Sequence, residues 1–292
     1  MPSQIELIKK YQLTIRGHSG QHLLIDHNIQ KKIVNLLDPQ PGETILEIGP
    51  GLGALTGLVL EKGARVLCIE KNERFTEVLR EEYRDYLSGR LEIIYNDVLR
   101  VDFPEILKFQ EDKRRMSRVK VLSNLPYYIT APILLKLLES SFLLSSAVLM
   151  MQREVAERLM APPGDKNYGR LTLAVRYKAE VSRAFHVAPS CFTPRPEVGS
   201  TVTFWKFHQE NDLLIYPDEK FLFRLIQISF QQRRKTLIHI LTRASDIKVD
   251  RLTLEDILKK LGFAPAARGE ELLLKDFMML ADELRKYKMS PS

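Results

Sequence analysis

The chain has 292 residues, 45% of them hydrophobic and 28% charged, proportions of a soluble globular protein with one large or two smaller domains, which excludes wholesale disorder. Lys and Arg number 44 against 37 Asp and Glu, a net charge of +7 that leans toward a polyanionic partner. Cys68 and Cys191 lie far apart, the six histidines are scattered and no H-E-x-x-H occurs, which argues against a disulfide scaffold and against a metal site. Residues 1–16 hold Lys9 and Lys10 with no apolar run behind them, and Ala131 to Met151 is interrupted by Lys136, Glu139 and several serines. Neither a secretory signal nor a spanning helix is expected, so the setting is cytoplasmic, with no membrane partner.

In chain order, Thr44–Ile48 is a short apolar run that meets a glycine turn, Gly49-Pro-Gly51-Leu-Gly53, and reads as a buried strand. Ala54 to Lys62 has apolar residues at helical spacing, closed by Gly63. Arg65–Ile69 is a second strand ending at Glu70, and Glu73 to Leu87 an amphipathic helix. Leu91–Tyr95 is a third strand, ending at Asn96-Asp97; residues 98–118 are polar and irregular, with a basic run Lys113-Arg114-Arg115. Val119–Leu122 is a fourth strand ending at Ser123-Asn124, Thr130 to Ser141 a helix, and Ala147–Met151 a fifth strand. Antiparallel strands are expected at 184–187 and 201–207, on either side of a proline-rich loop, Pro189 to Pro196. A boundary at 211–217 separates off helical patterns at about 219–242, 253–261 and 270–287.

Alternating strands and helices with short links predict an α/β domain over 1–210, built on a doubly wound, mostly parallel sheet, and a small all-α domain over 211–292. Ligands of such sheets bind at the carboxyl ends of the strands. Glu47 and Gly49, Glu70, Asp97 and Asn124 all sit at such ends. The glycine turn is E-x-G-x-G-x-G, neither the dinucleotide spacing nor a P-loop, so no pyrophosphate is expected. Glu70 at the next strand end is placed to accept both hydroxyl protons of a ribose, and Asp97 a proton of an adenine amine. Together they describe a site for an adenosine ligand without phosphates, and S-adenosyl-L-methionine fits.

Asn124-Leu125-Pro126-Tyr127 supplies the remaining chemistry. An adenine amine is a poor nucleophile because its lone pair is delocalised into the ring. The Asn124 side-chain carbonyl and the backbone carbonyl of Leu125 or Pro126 could accept its two protons and free that lone pair. Pro126 fixes the loop, and Tyr127 offers a face for the base. Its ring, rather than its hydroxyl, is expected to carry that role. Catalysis would rest on positioning and hydrogen bonding, without strong base or metal.

With these residues stand Gly20-Gln-His-Leu-Leu-Ile-Asp26, Met151-Gln-Arg-Glu-Val-Ala-Glu-Arg158, Tyr168-Gly-Arg170, Phe192-Thr-Pro-Arg-Pro-Glu-Val198, Phe230-Gln-Gln-Arg-Arg-Lys-Thr-Leu237 and Ala267-Arg-Gly-Glu-Glu-Leu272. As an ordered set covering nearly the whole chain, they resemble the ribosomal RNA adenine N(6)-dimethyltransferase family, in its branch acting on small-subunit rRNA. The resemblance implies a Rossmann-like S-adenosylmethionine-dependent methyltransferase fold. It implies that His22 and Leu24 border the methionine part of the cofactor, that Gly49 and Gly51 approach it closely, and that Glu70 holds its ribose and Asp97 its adenine. Asn124 would touch both cofactor and target amine, and Tyr127 and Phe192 would hold the flipped base between them. The implied partner is small-subunit rRNA in a pre-ribosomal 30S particle, met by a monomer. Phosphate contacts are expected from Arg233, Arg234 and Lys235, placed on a basic helix. This sequence departs from the family pattern with Gly17-His-Ser19 and Leu23 in the amino-terminal segment, and with Tyr128 where Asn is common. Two other readings differ in substrate or class: an erythromycin-resistance-type enzyme acting on large-subunit rRNA, and a non-catalytic ribosome-assembly factor of the same fold. The intact Asn124–Tyr127 segment and the long helical tail favour the first reading.

Overall fold

The computed structural model describes residues 2–15, 22–108, 118–209 and 216–287. The basic run Lys113–Arg115 and the departure Gly17–Ser19 lie outside the described residues. The chain divides into two compact units, one of Met1–Ala156 with Ala179–Gln209 and one of Glu157–Lys178 with Glu210–Ser292.

The first unit opens with α1 (Gln4–Lys10), β1 (Leu23–Leu24) and α2 (His27–Leu37). It continues with β2 (Thr44–Ile48), α3 (Thr56–Glu61), β3 (Arg65–Glu70), α4 (Glu73–Glu82), β4 (Leu91–Tyr95) and α5 (Phe103–Lys108). Next come β5 (Val119–Asn124), α6 (Thr130–Glu139) and β6 (Leu144–Gln152). After the start of α7 (Arg153–Met160) the unit resumes at β7 (Ala179–Val187), β8 (Phe192–Thr193) and β9 (Ser200–Phe207). Seven strands form one sheet in the order β4-β3-β2-β5-β6-β9-β7. The first five run parallel, and β9 and β7 pair antiparallel. The central strands are mainly apolar because helices cover both faces: Ile45, Leu46, Val121, Leu122 and Val148 are fully buried.

The chain runs outward from β2 through β3 to β4, then returns to place β5 on the other side of β2. The strand order therefore reverses between β2 and β5, and connections leave their carboxyl ends in opposite directions. That divergence opens the crevice in which doubly wound sheets bind ligands.

The second unit contains α8 (Arg170–Lys178), α9 (Glu219–Ser229), α10 (Leu237–Leu241), α11 (Arg251–Lys260) and α12 (Leu274–Leu284). The boundary expected at residue 210 therefore needs correction, because residues 157–178 belong to the helical unit. Tyr168, Leu173 and Tyr177 join its apolar core with Leu225, Leu241 and Phe277. The Tyr168 hydroxyl donates to the Leu272 carbonyl at 2.7 Å, and Tyr177 accepts from the Tyr216 amide at 3.0 Å. The helix expected over 219–242 is also two helices. Residues 231–235 form a turn, and Thr236 caps α10 by accepting from the His239 amide at 3.3 Å.

Gly53 shows how tightly the glycine turn is packed. Its φ is +80°, and a Cβ there would lie 2.6 Å from the Tyr83 ring and hydroxyl; that hydroxyl donates to the Gly53 carbonyl at 2.8 Å. Gly53→Ala should destabilise the protein by about 2–4 kcal/mol through strain and overpacking. The urea midpoint should fall with little change in slope; an unchanged midpoint would show that the turn relaxes freely.

Candidate active site

A cavity of about 290 Å³ lies at the carboxyl ends of β2, β3, β4 and β5. Its wall holds Gly49, Gly51, Glu70, Asp97 and Asn124, so the topology brings the expected strand-end residues together. Gly49 and Gly51 have φ of +66° and +59°, which L side chains rarely adopt. The Gly49 amide donates to the Ile69 carbonyl at 2.9 Å, stitching the exit of β2 to the end of β3. A Cβ on Gly51 would meet Leu23 at 3.0 Å, so a side chain there has little room.

Three carboxylates of different character surround the turn. Glu70 is 7% exposed and accepts from the Gly51 amide at 3.1 Å through one oxygen and from the Asn72 amide at 2.8 Å through the other. Burial raises its pKa while the amides oppose the rise. Asp97 is ion-paired to Lys71 at 2.7 Å and accepts from the Leu99 amide at 3.0 Å, which hold its pKa down. Glu47 is the third and is almost wholly buried. It accepts from the Thr56 hydroxyl at 2.6 Å, with the Cys68 thiol at 3.8 Å, and burial pushes its pKa up to about 7.

The Asn124–Tyr127 loop lies against the same cavity. The Asn124 amide nitrogen donates to the His22 carbonyl at 3.1 Å. This contact orients the side chain, because a flipped amide would set oxygen against oxygen. Asn124 Oδ1 and the Leu125 carbonyl are without a hydrogen bond among the described residues. The Pro126 carbonyl is engaged, accepting from the Thr130 hydroxyl at 2.9 Å and the Ile129 amide at 3.3 Å. Of the two backbone acceptors the sequence left open, Leu125 is the available one. The Tyr127 ring lies 5.3 Å from the His22 ring. His22 is itself tied by Nδ1 to the Pro194 carbonyl at 2.7 Å. Both rings also line a second, more open cavity beside Gln152, Pro194, Arg195 and Val198. His22 and Tyr127 thus form a wall common to the two cavities.

Two expectations are corrected. Phe192 is 3% exposed, pairs with Leu24 across the β1–β8 ladder, packs in the core with Val187 and Val202, and lines neither cavity. It supports the wall that Leu24 presents and is not placed to hold a base opposite Tyr127. In the second unit, the run Arg233-Arg234-Lys235 lies in a turn, not a helix. Arg233 is engaged within that unit, ion-paired to Glu270 at 2.8 Å and donating to the Lys166 carbonyl at 2.6 Å. Arg234 and Lys235 are exposed. No group of three or more potential metal ligands occurs among the described residues, and no described helix is long and apolar enough to cross a membrane.

Glu47 gives this site a pH signature. Its folded-state pKa lies above the ordinary value of 4.5, so the folded protein holds this proton more tightly than the unfolded chain. Its contribution to stability then falls as pH rises through the window from about 4.5 to about 7. Glu47→Gln removes that loss while keeping an acceptor for Thr56. Between pH 5 and 8 the variant should gain about 1–3 kcal/mol relative to the parent. Urea unfolding across that range tests this, and a difference constant with pH would show that Glu47 titrates as an ordinary carboxylate.

Comparison with known proteins places these features in a family. The family described as ribosomal RNA adenine dimethylase matches residues 12–261. The ribosomal RNA small subunit methyltransferase A of Halothermothrix orenii is 43% identical over 98% of this chain and 93% of its own. That of Bacillus cytotoxicus is 38% identical, covering 97% and 96%. Among solved structures, a dimethyladenosine transferase from Plasmodium falciparum superposes with a TM-score of 0.76 at 28% identity, covering 91% of this chain and 98% of that one. A 23S rRNA methyltransferase, at a TM-score of 0.66 and 23% identity over 90% of this chain and 99% of that one, shares the fold. Matched to the family over residues 12–261 and 43% identical to a relative over 98% of its length, the chain belongs to the ribosomal RNA adenine dimethylase family.

Proposed function

We propose that this protein transfers methyl groups from S-adenosylmethionine to the exocyclic amines of two adjacent adenosines in a hairpin near the 3′ end of small-subunit rRNA, acting in the cytoplasm on the pre-ribosomal particle. The observation that carries this reading is the Asn124 amide, turned by the His22 carbonyl so that its oxygen is left for a donor. The small-subunit target follows the curated relatives, whose names specify that subunit.

The residues fit the methyl donor. Glu70, held by backbone amides that include those of Gly51 and Asn72, presents a carboxylate that can accept from a ribose diol. Asp97, held ionised by Lys71, can accept from an adenine amine. Gly49 and Gly51 leave the backbone close to whatever lies in the cavity. The donor would supply an electrophilic methyl group on a sulfonium, whose sulfur–methyl bond breaks to leave a neutral thioether.

The chain's own residues prepare the nucleophile. The target base enters by the second cavity and stacks on Tyr127. Asn124 Oδ1 and the Leu125 carbonyl accept the two amine protons, drawing the nitrogen toward tetrahedral geometry so that its lone pair can attack. The proton left on nitrogen after transfer is acidic and passes to water, so no strong base is required. In the second unit, Arg234 and Lys235 meet phosphates, while Arg233 braces the turn that carries them.

Unmethylated small and large subunits, incubated separately with labelled S-adenosylmethionine, should show label on two neighbouring adenines of the small subunit; label on large-subunit rRNA instead, or none, would sink the reading. Asn124→Ala should lower the single-turnover rate at saturating RNA and cofactor by on the order of a hundredfold, with RNA affinity little changed. Near-normal chemistry in that variant would mean that another group activates the amine. Replacing Arg234 and Lys235 together by Ala should flatten the slope of log affinity against log salt by about 1.4–1.8, the loss of two phosphate contacts. An unchanged slope would make them a solvated face.

A further inference from the structure

The Tyr127 hydroxyl has a partner that no recognition of a base requires. It shares a 2.7 Å hydrogen bond with the Ser200 hydroxyl. Ser200 is 1% exposed and begins β9, where its backbone is paired on both sides, to Gln152 of β6 and Val187 of β7. Its side chain therefore projects from a rigid place in the sheet, 73 residues away in sequence from the loop it touches. The Tyr127 ring also meets the His22 ring, at 5.3 Å and tilted by 32°. A tilted ring pair limits where the tyrosine ring can move but leaves it free to slide. A hydrogen bond at the far end of the ring removes that freedom, because it fixes the oxygen relative to the sheet.

Resting on the reading under Proposed function, we infer that Ser200 is a positioning residue for methyl transfer: its hydroxyl holds the Tyr127 ring at the wall between the two cavities, and so sets where the target base stacks relative to Asn124. The hydroxyl of Tyr127 then does necessary work, although the face of the ring is what meets the base. The energetic logic is that of a preorganised site. A base stacked on a mobile ring reaches the Asn124 and Leu125 acceptors in only a fraction of its poses, and small displacements of reacting atoms are costly in rate. Losing this bond removes neither the face of the ring nor the Glu70 and Asp97 carboxylates, so its effect should appear in the chemical step and not in affinity.

The pair is suited to a double-mutant cycle. Ser200→Ala and Tyr127→Phe each remove the same bond and leave one hydroxyl without its partner, whereas the double variant leaves no orphan. Each single variant should slow single turnover, at saturating rRNA and S-adenosylmethionine, by about tenfold. The double variant should be slowed by the same tenfold, not a hundredfold, with affinities for cofactor and RNA within twofold of the parent throughout. In urea unfolding, the double variant should be at least as stable as the less stable single one. Should Ser200→Ala fail to fold, Tyr127→Phe removes the bond from the other side and carries the same rate expectation. A substrate-free readout accompanies these: with ring-labelled tyrosine, the Tyr127 resonance, assigned by its loss in Tyr127→Phe, should shift in Ser200→Ala.

Unchanged rates in folded variants, multiplicative losses in the double variant, or an unmoved Tyr127 resonance would each overturn the inference. A parent protein that leaves rRNA unmethylated while the resonance shifts would overturn the proposed function and, with it, the catalytic part of this assignment, leaving only the structural bond.

Discussion

The site depends on the reversal of strand order between β2 and β5. Because the chain leaves these neighbours in opposite directions, the space above their carboxyl ends is not filled by a connection. Gly49 stands at one of these ends and Asn124 at the other. Two segments 75 residues apart in sequence thereby become opposite lips of one cavity. The register fixes their heights: Ile48 lies beside Ser123, and the Ser123 hydroxyl donates to the Ile48 carbonyl at 2.7 Å. One residue of slip would turn Ser123 out of this bond and carry Asn124 away from the His22 carbonyl.

The parallel strands were legible because buried strands are short, mainly apolar runs, and the strand-end residues because polar groups stand out after such runs. What was lost lay in partners distant along the chain. Two residues are too few to show periodicity, so the β1–β8 ladder is invisible in sequence, and with it the reason Phe192 is core. An aromatic residue in a proline-locked loop reads equally well as a base platform until its pairing with Leu24 is seen. Arg233 reads as one of three equivalent cations, yet Glu270, 37 residues on, takes it up. Tyr168 and Tyr177 carry residues 157–178 into the helical unit through hydroxyl contacts with Leu272 and Tyr216, and no composition change marks that border.

The acidic groups around the glycine turn divide by environment. Asp97, partly exposed and beside Lys71, keeps its charge. Glu47, dry and bonded to the Thr56 hydroxyl near the start of α3, favours its proton. Glu70 stands between these extremes, buried but supplied with backbone amide donors. A carboxylate in that position can answer a ribose without first losing water, since backbone amides already replace its hydration. The turn and the acid support each other: the Gly51 amide, brought in by its positive φ, satisfies the oxygen that would otherwise be buried unpaired.

A site that activates an amine through two carbonyl acceptors has no strong base to compensate for poor geometry. A general base works over a range of poses, so long as a proton is within reach. Two acceptors that must meet two protons of one nitrogen work only if both stand at fixed positions. The Asn124–Tyr127 loop is accordingly tied to three separate elements: Asn124 to the His22 carbonyl beside β1, Leu125 through its amide to the Met150 carbonyl of β6 at 2.9 Å, and Tyr127 to Ser200 of β9. The tie through Met150 bears on the Leu125 carbonyl, which has no partner among the described residues. Its own amide is spent on the sheet, and Pro126, which has no amide proton, leads into a 3₁₀ turn whose bonds fall on the next carbonyl along. Four consecutive residues thus acquire different duties from the hydrogen bonds each is able to make, and the duty left over, a carbonyl beside a side-chain oxygen with no hydrogen bond among the described residues, is the one the proposed chemistry needs.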